Sequence, residues 1–176
     1  MAESPSDSLP LLQRPAVQSL LLQAATHDRA TGCLTATYFA HRAAEEIARR
    51  QRYGGRLSLL LAAADEPAEA SACETAPVVR VAARVRERVR ATDLVGRWGS
   101  EEIVVLLPAT GLAGAARLAR RILSPAPGEP ADQPLLLSIG LATWLGAAET
   151  LDLLIARARS GLQEARARGG GRVGVS

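Results

Sequence analysis

Arg90 and Asp93 stand three residues apart, and after five intervening residues the chain reads Gly99-Ser100-Glu101-Glu102-Ile103. An arginine and a carboxylate so spaced can act as donor fork and acceptor toward a planar polar ligand. They can equally close on each other as a surface ion pair, which contributes little to stability. Glu101 and Glu102 bring two carboxylates to one glycine-led turn. Such a pair can contribute oxygens to a hard divalent cation, which wants several, or can stay solvated as ordinary hairpin residues.

These residues need elements to hold them. Leu94 to Trp98 and Ile103 to Leu107 read as the two strands of a hairpin around the Gly-Ser-Glu-Glu turn. Val78, Val81, Val85 and Val89 recur at helical spacing, predicting an arginine-studded helix over 78–90. Arg80, Arg84, Arg86 and Arg88 mark its solvated face. Upstream, Leu11 to Ala25 carries an apolar stripe fit for an amphipathic helix, and Thr35 to Gln51 places Phe39, Ala43, Ala44 and Ile47 on one face. Arg56 to Ala64, bounded by Gly54-Gly55, is a buried strand, and Asp65 to Thr75 a loop. Gly114 to Leu123 is helical and stops before Pro125 and Pro127. Leu135 to Trp144 is a strand and Leu151 to Arg168 a helix ended by Gly169-Gly170-Gly171, with Val173 to Val175 as an edge strand. Met1 to Pro10, rich in Ser and Pro, is expected to be mobile. The alternation is α/β with a hairpin in its middle.

Composition narrows the function. With 48% apolar residues and 22% charged in 176 residues, the chain can bury one sizeable core. All basic residues are arginine, so no lysine is available to contact a phosphate. A net charge of +3 without basic-aromatic interleaving gives no support to nucleic-acid binding. Cys33 and Cys73 lack metal-like spacing and read as small buried hydrophobes. No apolar run approaches membrane-spanning length, and the first ten residues lack the order of a secretory signal. A cytoplasmic protein is expected.

The order of motifs resembles the GGDEF domains, the diguanylate cyclases of bacteria. Asp28-Arg29-Ala30-Thr31-Gly32-Cys33 with Phe39 is similar to the family's Asp-x-Leu-Thr-Gly-Leu-x-Asn-Arg-x-x-Phe segment. Gly99 through Ile103 resembles its signature turn, and Ser138-Ile139-Gly140-Leu141-Ala142 its Ser-Ile-Gly-Val-Ala strand. Ala156 to Val173 follows, without gaps, the last helix and its Ala-Lys-x-x-Gly-Arg-Asn-Arg-Val end. The resemblance implies an α/β (α+β) palm-like domain, with a central, mostly antiparallel five-stranded sheet flanked by helices. It assigns residues 1–25 to a mobile terminus and linker helix and 26–176 to a degenerate GGDEF domain.

Within the resemblance, the active site is depleted. Ala63 stands where the first metal-binding Asp of the family's Asp-x-Asp-x-Phe-Lys motif belongs. Asp65 keeps the second, and Pro67 and Ala68 replace Phe-Lys. Glu101 matches the turn's metal carboxylate and Glu102 the acid after it, while Ser100 replaces the second Gly. Thr35 and Ala36 replace Asn-Arg. The guanine-reading Asn-Asp-x-x-Gly-His segment has no counterpart between Glu69 and Thr75, and Arg166 takes the place of a phosphate-contacting Lys. Asp65, Glu101 and Glu102 are therefore expected to be vestigial, with no metal or other cofactor.

The family's inhibitory product site fares better. Arg90 and Asp93 match its Arg-x-x-Asp, and its further arginine falls on Arg121, with Arg117 one helical turn before it on the same face. Arginine can donate two parallel hydrogen bonds to guanine O6 and N7, and a carboxylate can accept from guanine N–H groups. Cyclic di-GMP presents two guanines and two phosphates to such a cluster. The leading expectation is a catalytically inactive receptor of cyclic di-GMP that relays occupancy to a protein partner, with a homodimer possible. The alternative is a ligand-independent interaction module working through the Leu11–Ala25 helix. Residual cyclase or GTP-sensing activity ranks third.

Overall fold

The computed structural model describes residues 15–65, 76–125, 134–146 and 148–176. Its centre is β1, Leu57–Ala64, an apolar run buried along almost its whole length. It pairs antiparallel with β3, Glu102–Pro108, on one side and with β4, Leu137–Thr143, on the other. β2, Leu94–Trp98, adds antiparallel to β3, and the short β5, Val173–Val175, adds parallel to β4. The order β2-β3-β1-β4-β5 gives the expected five-stranded, mostly antiparallel sheet.

Both sheet faces are covered, which is why the strands read as continuous apolar runs rather than alternating ones. Side chains of successive strand residues leave on opposite faces. Leu57, Leu59, Leu61 and Ala63 therefore join Val104 and Leu106 on one face, while Leu60, Ala62, Ile103 and Val105 join Ile139 and Leu141 on the other. The first face packs on α2, Ala36–Tyr53, through Phe39, Ala43 and Ile47, and on α5, Leu151–Ala167, through Leu154, Ala158 and Leu162. The second packs on α3, Pro77–Arg86, and α4, Leu112–Leu123, through Val81, Val85, Ala119 and Ile122. Outside these layers, α1 spans Pro15–Thr26.

Most boundaries fall within two residues of expectation, but α3 ends four residues early. The Arg90 N–H, which would continue the helix, is taken by the Asp93 carboxylate at 2.8 Å. Side-chain capture of a backbone donor is how Asp redirects a chain out of a helix. Val89 still packs against the core at helical spacing. The arginine face also needs correcting. Arg84 is buried and donates to the Leu135 carbonyl at 2.9 Å, Arg86 donates to the Thr31 carbonyl, and Arg88 reaches the carbonyls of Ser124 and Pro125. Arg84 and Arg88 are thereby drawn against neighbouring segments instead of facing water, while Arg86 bonds to Thr31 and stays exposed.

The linker helix is described from Pro15 onward, and Leu11 to Arg14 of the expected stretch, with Met1 to Pro10, lie outside the described residues. So do Pro67, Ala68 and Glu69 to Thr75, including Cys73, as well as Pro127. Cys33 is buried as expected, and burial pushes its thiol above the ordinary value, leaving it protonated and unreactive. Among the described residues no helix is long and apolar enough to cross a membrane.

Candidate functional site

Two places draw on the residues singled out by the sequence, and they have fared differently. At the β2–β3 turn the carboxylates are dispersed. Glu101 is exposed, pairs with none of the described residues, and lines a cavity of about 250 Å³ with Arg97, Ser100, Ala64, Ala76, Pro77 and Val78. Glu102 instead meets α5, where the Arg159 guanidinium grips it with two hydrogen bonds, at 2.6 and 3.2 Å. That bond raises the Arg159 pKa above its already high ordinary value. Ala63 lies directly opposite Glu102 in the β1–β3 register and contributes only a methyl.

Asp65 is also occupied. One oxygen accepts the Gly171 N–H at 2.8 Å, and Arg166 approaches the other at 3.7 Å while donating to the Ala64 carbonyl at 2.6 Å. Among the described residues no three His, Cys, Asp or Glu side chains converge as a metal site would require. The Glu102–Arg159 pair is bidentate but its arginine is 40% exposed, so solvent screening limits it. Arg159→Ala is expected to cost about 1 kcal/mol, read as a small fall in denaturation midpoint.

Arg97 secures the turn itself. It donates to the carbonyls of Gly99 and Ser100 and pairs with Asp28 at 3.1 Å. Asp28 in turn accepts from the Thr31 N–H and hydroxyl, at 2.9 and 2.7 Å. Burial alone would raise this carboxyl. The Thr31 bonds and Arg97 outweigh it and hold Asp28 below the usual aspartate value. A depressed carboxyl stabilises the fold above its unfolded pKa, and that contribution disappears as pH falls through the folded value. Asp28→Asn is therefore expected to cost about 1 kcal/mol at pH 7. The gap to wild type should narrow below about pH 4, as seen in urea denaturation at several pH values.

At the other end of the hairpin the residues converge. The turn after α3 carries Arg88, Arg90 and Asp93, and α4 carries Arg117 and Arg121, four residues apart on one face. All five line a recess of about 110 Å³ floored by Leu107, Gly114 and Leu118. Arg90 and Asp93 do not form the surface ion pair that their spacing allows. Asp93 accepts from the Arg90 backbone N–H through Oδ2, and no salt bridge joins the two side chains. The guanidinium groups of Arg90, Arg117 and Arg121 are exposed and bond to none of the described residues. Three unneutralised forks thus stand beside one oriented carboxylate, which sets a positive field and both donor and acceptor groups around one recess.

The fold and these motifs define a family. Residues 77–172, more than half of the chain, match the family described as "Diguanylate cyclase, GGDEF domain", and the chain belongs to it. The response regulator PleD of Caulobacter vibrioides is 38% identical over 95 residues, which are 50% of this chain and 21% of PleD. The chain thus spans about a fifth of that relative's length. Diguanylate cyclase SiaD of Pseudomonas aeruginosa, solved in complex with its activator SiaC, is 24% identical with a TM-score of 0.76, covering 92% of this chain and 65% of SiaD. The coiled coil and GGDEF domain of DgcB from Caulobacter crescentus, solved in complex with c-di-GMP, reaches a TM-score of 0.78 at 16% identity, over 90% of both chains. These two show the shared fold.

Sequence reasoning missed Arg159 and the Asp28–Arg97 tie. Each joins residues far apart in the chain, at 57 and 69 positions. No local pattern announces such pairs. Arg88, expected on a solvated face, lines the recess instead.

Proposed function

We propose that this chain is a GGDEF domain that reads cyclic di-GMP without making it, binding the ligand through Arg90, Asp93, Arg117 and Arg121. The observation that carries this is the contrast between the two ends of one hairpin. The recess beside α4 holds three unpaired guanidiniums and a carboxylate with a free oxygen. At the turn end, Glu102 is already committed to Arg159, Asp65 after β1 to Gly171 and Arg166, and Glu101 is left alone. Binding of c-di-GMP by the structurally similar DgcB is in keeping with a ligand of that class.

Cyclisation of GTP by this family's fold calls for divalent metal, which neutralises the triphosphate and activates the attacking hydroxyl. The residues present do not fit it. Ala63 supplies no carboxylate, Glu102 is matched by an internal cation, and a single exposed Glu101 falls short of the coordination a hard ion needs. In the cavity at the turn, the side chains of Ala64, Ala76, Pro77 and Val78 cannot hydrogen-bond a purine edge, which leaves only Arg97, Ser100 and Glu101 among its described lining residues to do so. Incubation with GTP and Mn²⁺, followed by chromatography, is expected to return GTP unchanged. Formation of cyclic di-GMP that Glu102→Ala abolishes would overturn the reading.

Relay of the bound state to a protein partner is the remaining part of the proposal. α1 exposes Leu21 and Leu22, at 53% and 65%, and offers an apolar handle for it. The same observation supports the alternative of a ligand-independent module. A pull-down in which Arg90→Ala/Asp93→Ala retains every partner, with or without cyclic di-GMP, would favour that alternative.

A further inference from the structure

Arg90 and Asp93 form a divide, with the α4 recess on one side and a larger groove on the other. That groove, about 350 Å³, is lined by Arg42, Arg86 and His27, and floored by Leu34, Val89 and Val95. The α4 recess is about 110 Å³, well under the roughly 300–1,000 Å³ of sites that bury a drug-sized ligand. It can enclose one base and no more of a dinucleotide. Taken with the neighbouring groove, the space falls inside that range, and Arg90 and Asp93 border both halves.

The groove has the chemistry for the remainder. Arg86 commits one nitrogen to the Thr31 carbonyl at 3.2 Å, which fixes its guanidinium against Gly32 and leaves its other donors. Among the described residues Arg42 pairs only with Glu45, at 3.2 Å, in an exposed pair of one helical turn that a stronger anion can displace. Asp93 is the single carboxylate among the described residues that line the groove. The apolar floor suits the face of a base, and a fixed guanidinium suits stacking or a phosphate.

Resting on the proposed reading of the α4 recess, we propose that the groove of Arg42 and Arg86 is a second half-site, so that a cyclic dinucleotide straddles the Arg90–Asp93 divide. One guanine sits in the α4 recess and the second base, with its phosphate, in the groove.

The test compares a whole and a half ligand by calorimetry on the full chain, with cyclic di-GMP and GMP as probes. Arg42→Ala/Arg86→Ala is expected to weaken cyclic di-GMP by about tenfold or more, leaving the weaker GMP binding unchanged. Arg121→Ala should weaken both ligands. Because Arg86 also holds the Thr31 segment, Arg42→Ala alone, on an exposed helix face, provides the second reading and should lose several-fold for cyclic di-GMP only. Unchanged cyclic di-GMP affinity in both variants, while Arg90→Ala fails to bind, overturns the second half-site and leaves the receptor reading standing. Equal loss of GMP and cyclic di-GMP overturns it as well. Absence of cyclic di-GMP binding by the wild type removes the receptor reading and the half-site with it.

Discussion

Arg90→Ala combined with Asp93→Ala is expected to weaken cyclic di-GMP binding by about 100-fold or more, since charge-assisted hydrogen bonds to a ligand contribute about 1.5–3 kcal/mol each. The loss should fall on the ligand and hardly on the fold. Arg90 is exposed and bonds through its guanidinium to none of the described residues, so its removal unpairs nothing in the protein. Asp93 does bond to the Arg90 N–H, which is freed to water in the variant, at a cost of about 1 kcal/mol. Calorimetry for affinity and circular dichroism for the thermal midpoint separate the two effects. Arg90→Lys is the informative companion. It keeps the charge and loses the fork, so recovery of full affinity would show that Arg90 serves as a point charge and not as a reader of a base edge.

The second large effect concerns the platform. Gly140→Ala is expected to destabilise the domain by about 3 kcal/mol or more, enough to unfold it or to lower its midpoint by many degrees. β4 and α5 approach so closely at Gly140 that an added methyl would overlap the Ala158 carbonyl oxygen and crowd the Leu162 amide. Both obstacles are helix backbone, so no side-chain rotation relieves the contact. Gly161 and Gly174 repeat the arrangement next door, where a methyl on Gly161 would lie 2.8 Å from the Gly174 carbonyl oxygen. The methyl can enter only by moving α5 off the sheet, and α5 carries Arg159 and Arg166 to the hairpin turn and the end of β1. Guanidinium denaturation of the two proteins checks this. A change below about 1 kcal/mol would mean that α5 shifts freely on the sheet.

The sheet was legible in the sequence because its strands are apolar on both faces and end in glycine or at a turn. β1 and the β2–β3 hairpin could be placed within a residue or two from those signals alone. The end of α3 was not, because the helical spacing of valines continues to Val89 while the backbone leaves the helix at Arg86. The deciding contact, Asp93 to the Arg90 N–H, competes with the spacing and wins. Arg84 shows the same limit. At 4% exposure its guanidinium satisfies a carbonyl from a segment 51 residues away, a use that a single sequence does not disclose.

At the site, residue types and order were enough to nominate Arg90, Asp93, Arg117 and Arg121, and the structure puts all four around one recess. Ala63 could also be read in place of a carboxylate. The fate of Glu102 could not be foreseen, because Arg159 reaches it across the sheet from a helix 57 residues later. That pair changes the physical meaning of the turn, since a carboxylate that looks available in sequence already has its cation.

The receptor reading stands or falls on one comparison, the calorimetric titration of the unmodified protein with cyclic di-GMP and, separately, with GTP and Mg²⁺. Saturable binding of cyclic di-GMP at micromolar concentrations, with GTP bound far more weakly, is the predicted result. No heat from cyclic di-GMP at tens of micromolar, or GTP bound as tightly as the dinucleotide, would contradict it.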